Sequence, residues 1–296
     1  MKEVAVKTPL SSLETRLLLA CASALLIACL GPAVAQYDHY HAFADQRVWW
    51  GIPHAMDVLS NIPFAVGGIW GLVQLWRHRL ARSAQRYLSA LFFLGLVVTA
   101  LCSSVYHWQP GDGGLVFDRL GIVLAFAGLL GLALADRVSD RAGLAMMAVV
   151  LVCGPYAVGV WVFSGNLLPW AVLQGGGMLL LLCLAWCPPA AETWGIRLGT
   201  VIVVYSLAKL LELGDHSVFA WTGGWVSGHS LKHALAALAA WPVLVAMRPQ
   251  KPVHNGPRSR RAALPALAWR ITLFAIFSIA ACANRMCATA LFGIRK

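Results

Sequence analysis

The chain has 296 residues, of which 59% are hydrophobic and only 12% charged, with a formal net charge of +11. Soluble domains carry about 25% charged residues, and the mean hydropathy here is +0.71, so a soluble globular protein is excluded. A nucleic-acid partner is excluded as well. Lys and Arg gather in a few short connections and in the tail, as the orientation of a polytopic membrane protein requires. None of the eight cysteines forms a C-x-x-C, and most lie in apolar runs. They read as small buried residues, not as a disulfide framework or a thiolate metal site.

Residues 1–36 begin with Lys2, Lys7 and Arg16, run apolar from Leu17 to Leu30, and end in Gly31-Pro32-Ala33-Val34-Ala35-Gln36. This is the pattern of a signal peptide, with an uncleaved extra transmembrane helix as the alternative. Residues 37–54 form a polar and aromatic segment rich in Tyr and Trp, which suits a membrane interface. His39 and His41 in this segment are expected to be solvated. Seven apolar runs follow, near 55–75, 87–107, 117–135, 142–163, 167–187, 194–212 and 227–247. Each approaches the roughly 20 residues that span a bilayer. The expected fold is all-α, a polytopic bundle of seven transmembrane helices over 55–247. Residues 248–296 read as a basic linker and an apolar tail with no assigned chemistry.

Connections alternate between two faces. Arg77, Arg79, Arg82, Arg86, Arg137, Arg141, Arg197 and the basic linker lie on one. Residues 37–54, the loop around Asp112, the loop near Gly165 and the stretch 212–224 lie on the other, which is nearly free of Lys and Arg. The first face is expected to be cytoplasmic and the second periplasmic or luminal.

Polar residues recur at helical spacing at the outer ends of these runs. Ser103 and His107 are four apart near the end of the second span. His229 and His233 are four apart near the start of the seventh. Residues i and i+4 share a helix face, and Asp118 opens the third span on the same side. Topology alone therefore brings all five to one membrane depth. Imidazoles suit Zn²⁺, which in catalytic sites takes three protein ligands and keeps one position open. Asp118 has the geometry for proton transfer or for orienting a histidine, and Ser103 for donating to a developing oxyanion. Each residue also has a blander reading. A membrane histidine serves as a helix–helix hydrogen bonder, and an H-x3-H pair serves haem or a proton relay. Asp118 can pair with Arg119 or cap its helix, and Ser103 can bond back to its own helix. Asp57 and Asn61 read as helix glue or as support for the site, Lys209 and Glu212 as a pair across one turn, and His216 beside Asp215 as structural. Lys232 falls between the two late histidines and is expected to turn to another face.

At these residues the chain resembles the alkaline ceramidase family of the CREST membrane hydrolase superfamily, marked by S-x3-H, a downstream Asp and a late H-x3-H. The stretches Asp57-Val58-Leu59-Ser60-Asn61-Ile62-Pro63-Phe64 and Ser227-Gly228-His229-Ser230-Leu231-Lys232-His233 look like its bacterial members. The resemblance covers roughly residues 40–247 in order and topology. It implies seven transmembrane helices and a zinc ion held by His107, His229 and His233. It further implies hydrolysis of a ceramide-like lipid amide in the membrane, with Asp118 and Ser103 assisting. Animal members also bind calcium through an acidic loop before the first helix. Residues 37–54 offer only Asp38 and Asp45 for this, with His54 where an acidic residue is expected, so calcium is a weaker expectation than zinc. The expected location is a bacterial inner membrane with the site towards the periplasm. Superfamily relatives include receptors, so a seven-helix lipid sensor with structural zinc is the alternative function. A fourth protein ligand on the metal would favour it. A transporter needs polar groups through the whole bilayer depth, and the span centres are nearly free of them.

Overall fold

The computed structural model describes residues 9–77 and 83–248. Residues 1–8, 78–82 and 249–296, including nearly all of the expected linker and tail, lie outside the described residues. The chain is about 75% helical, without strands among the described residues. Its helices are α1 (Ser12–Leu30), α2 (Ala55–Leu59), α3 (Ile62–Arg77), α4 (Ser83–Trp108), α5 (Asp112–Arg137), α6 (Asp140–Ser164), α7 (Leu168–Ala185), α8 (Leu198–Leu213), α9 (Asp215–Trp221), α10 (Gly228–Ala237) and α11 (Trp241–Ala246), with a 3₁₀ turn at Leu238–Ala240 between the last two.

Among the described residues six helices are long and apolar enough to cross a membrane: α1, the α2–α3 unit (Ala55–Arg77), α4, α5, α6 and α7. This is an all-α polytopic protein. The last two expected spans are less regular than their apolar runs imply. Helix α8 has 16 residues and at about 1.5 Å per residue falls short of a roughly 30 Å core. The 227–247 run is broken by its 3₁₀ turn, because Pro242 at the start of α11 has no N–H to continue the α-helical ladder.

Local sequence sets several helix starts. Ser11 and Glu14 form a reciprocal capping box at α1. Ser139 caps α6 and Ser227 caps α10 through their hydroxyls. Helix α1 packs beside α7, where Leu17 and Cys21 join the main core. At its start the Glu14 carboxylate accepts from Arg141 at 2.6 Å and from Ser139 at 2.8 Å. Past its end Val34 exchanges hydrogen bonds with the Asn166 side chain and the Leu167 backbone, at 3.0 and 2.7 Å.

Helices α4 and α5 approach most closely, and this contact sets the register between Ser103, His107 and Asp118. A Cβ at Gly95 of α4 would stand 2.2 Å from the Ala125 backbone nitrogen, and one at Gly128 of α5 would stand 2.3 Å from the Phe92 nitrogen. Backbone cannot yield as a side chain can, so even one methyl overpacks the seam. Gly95→Ala is therefore expected to cost about 1–3 kcal/mol and to lower the thermal midpoint of the detergent-solubilised protein. Gly159→Ala, whose Cβ meets nothing within 4 Å, should leave it unchanged. Equal midpoints would show that the seam relaxes.

Candidate metal centre

The outer-face connections fold together over the ends of α4, α5 and α10. The Asp215 carboxylate accepts from the Ala44 backbone N–H at 2.9 Å and from the His229 backbone N–H at 2.8 Å. His216 bonds the Ala42 carbonyl at 2.9 Å. Arg47 donates to the Trp225 carbonyl at 2.9 Å. His41, expected to be solvated, instead bridges the Tyr106 hydroxyl at 2.8 Å and the Asp112 carboxylate at 3.0 Å. Its environment differs from expectation because segment 37–54 is held on the bundle by these bonds. His39 is exposed, as expected.

Beneath this cover His107, His229 and His233 are 1%, 6% and 3% exposed. Their ring centroids lie 4.8, 4.9 and 4.7 Å apart, and one ligating atom from each falls within 4.8 Å of the others. The Nε2 atoms of His107 and His229 are 3.2 Å apart. Two Zn–N bonds of 2.0–2.1 Å at a tetrahedral angle would separate their nitrogens by about 3.3 Å. Among the described residues no fourth His, Cys, Asp or Glu joins the group. Three clustered imidazoles in a buried pocket can therefore hold a metal ion, and the donor set fits a divalent ion that takes neutral nitrogen ligands.

The hydrogen bonds around His233 assign its tautomer. Ser60 donates its hydroxyl proton to the Asp57 carbonyl at 3.0 Å, so its oxygen accepts from Nδ1–H of His233 at 2.8 Å. The Nε2 lone pair is then left facing the other two rings, the arrangement that outer-shell partners of metal-bound histidines produce. Asp57 joins α2 to α10, while Asn61 bonds back to the carbonyls of α2. Asp57 is fully buried, and its Oδ1 accepts from Ser230 at 2.7 Å and from Ser227 at 3.1 Å. Asn61 donates to the Asp57 carbonyl at 3.0 Å.

No protein-family model matches the chain, and no curated protein matches it.

The two remaining expected site residues adjoin the triad without joining it. Ser103 is buried and lies near the half-buried Asp118 carboxyl. Arg119 turns away from the triad. Its guanidinium stacks 4.0 Å over Trp161 and donates to Gln36 at 2.7 Å.

Phe43 and Lys232 were not legible as site residues. The Phe43 ring packs 4.7 Å from His107 and 4.5 Å from His229, but a single aromatic residue in an irregular segment carries no periodic signal. The expectation for Lys232 is corrected. Its Nζ lies 3.4 Å from His229 Nε2 and 2.7 Å from Glu212 Oε1. Residues 229 and 232 are three apart, a spacing that also shares a helix face. Glu212 pairs with Lys209 at 2.5 Å as expected, and with Lys232 besides.

For calcium the acidic donors are poorly placed. Both Asp45 oxygens already accept from Arg47, at 2.8 and 2.6 Å, and Asp38 is exposed. Burial pushes the Asp45 carboxyl up, but the hydrogen bonds and charge of Arg47 outweigh it and hold the group below the usual carboxylate range.

Proposed function

We propose that the protein is an integral membrane, zinc-dependent amidohydrolase that cleaves ceramide or a related N-acyl lipid to a fatty acid and an amino alcohol base. The observation that carries this reading is the convergence of three buried histidines, with Ser103 and Asp118 beside them. His107, His229 and His233 would hold the ion. When bound, such an ion activates water near neutral pH and polarises a carbonyl oxygen.

The protein's own groups supply the rest. Water adds its oxygen to the acyl carbon and the carbon–nitrogen bond breaks. Asp118 takes a proton from the water and returns it to the leaving nitrogen. The Ser103 hydroxyl, near the Asp118 carboxyl, is available to donate to the developing oxyanion. Phe43 covers the imidazoles and limits access of bulk water. A ligand set of three side chains favours the enzyme over a sensor with structural zinc, which would be expected to close its coordination with a fourth protein group. A lipid substrate fits a site at the end of apolar helices, at headgroup depth. The charge bias of the connections favours the periplasmic or luminal face for the site, and the resemblance to bacterial members favours a bacterial inner membrane.

The test is incubation of purified protein with a panel of N-acyl lipids, with and without a zinc chelator, followed by mass spectrometry of released fatty acid. Asp118→Asn should retain zinc and lower kcat by about 10²–10⁴-fold. No chelator-sensitive release from any lipid would refute the hydrolase reading.

A further inference from the structure

Two ammonium groups share one carboxylate beside the triad. Glu212 presents one oxygen to Lys209 and the other to Lys232, so one carboxylate faces two ammonium groups. Lys209 has the more exposed side chain, at 46%, and by itself neutralises Glu212. Lys232, at 22%, is the surplus cation. Its Nζ lies 3.4 Å from His229 Nε2. An ammonium among neutral rings is costly, and a bound divalent ion would repel it further. An anionic or strongly polarised oxygen in the site would offset that cost. Ser103 does not meet this need, because a neutral hydroxyl carries no negative charge.

We propose that Lys232 is the cationic contact for the acyl oxygen, so that the site binds the carboxylate end of a long acyl chain in preference to an uncharged end of equal length. This rests on the amide-hydrolase reading. Lys232 meets the substrate carbonyl oxygen as it gains negative charge, and afterwards the product carboxylate. Glu212 holds the ammonium in place. The contact forms and breaks hydrogen bonds only, and the proton transfers remain with Asp118.

The experiment measures binding of palmitate and of 1-hexadecanol to the purified full-length, zinc-loaded protein by displacement of a fluorescent fatty acid, with zinc content determined in parallel. Wild type should prefer palmitate. Lys232→Met and Lys232→Gln should keep their zinc and bind hexadecanol unchanged. Their preference for palmitate should fall by about tenfold or more, as loss of one charge-assisted hydrogen bond predicts. Lys232→Arg should restore much of it. An unchanged preference in both neutral variants overturns the proposal. So does loss of zinc or of folding in both, because Lys232 would then be a structural ion-pair partner. The two readings separate cleanly. Release of fatty acid from N-acyl lipids together with a preference indifferent to Lys232 removes the contact and leaves the hydrolase. A Lys232-dependent preference without any amide turnover removes the hydrolase and leaves the carboxylate contact.

Discussion

His229→Ala is expected to abolish both metal retention and turnover. His229 sits at the centre of the cluster, 3.2 Å from His107 by its Nε2, with its ring edge-on to His233. Its loss leaves two imidazoles for an ion that takes three protein ligands in catalytic sites. A Lewis acid contributes several kcal/mol to transition-state stabilisation, and about 1.4 kcal/mol corresponds to tenfold in rate. Turnover should therefore drop by at least about 10³-fold. Metal analysis of the purified variant, with a thermal melt as control for folding, provides the check. Ser60→Ala is the graded companion. It removes only the acceptor for His233 Nδ1–H, and loss of such a partner weakens metal binding by about 10–100-fold. A folded His229→Ala protein with full zinc and undiminished activity would sink the site assignment.

Asp215→Ala should produce the second large effect, and on stability rather than on chemistry. This carboxylate ties the covering segment to the histidine helix, through Ala44 N–H on one side and His229 N–H on the other. Hydrogen bonds to a charged group contribute about 1.5–3 kcal/mol each. The variant also leaves the His229 N–H buried at the start of α10 without a partner. A loss of about 3–5 kcal/mol follows, read as a fall in the thermal midpoint in detergent. Limited proteolysis should cut within residues 37–54, because the segment loses one of the bonds that hold it. Asp112→Ala removes two exposed contacts, the end of the His41 bridge and a 3.3 Å bond from Gln36, and should cost much less. Equal midpoints for wild type and Asp215→Ala would show that the remaining bonds suffice.

Helix ends and pairings that depend on near neighbours were readable in the chain. Ser103/His107 and His229/His233 lie one turn apart, so their shared faces follow from helix geometry alone. The meeting of the two pairs followed from counting spans, because the four crossings between them, an even number, return the chain to the same side. Lys209–Glu212 was readable for the same local reason. Residues whose role depends on distant partners were not. Lys232 has two acceptable faces until α8 is placed beside α10 and Glu212 takes its ammonium. His41 and Phe43 lie in a segment without period, and their burial depends on bonds to residues 65 to 186 positions away. The irregular seventh run shows a limit of another kind. Its apolar length was visible, while the effect of Pro242 on the helical ladder required the backbone.

What the sequence by itself determined was the all-α membrane class, the side of each connection and the five polar residues brought to one end of the bundle. Composition, charge bias and helical period carry that information locally. Only the tertiary structure decided that three imidazoles close on one point while Asp118 stays beside them with Ser103. It alone set Lys232 against His229 and Phe43 over the rings. Those placements rest on close helix contacts such as the Gly95–Ala125 seam and on buried hydrogen bonds between residues far apart in the chain. Neither leaves a periodic trace in the order of residues.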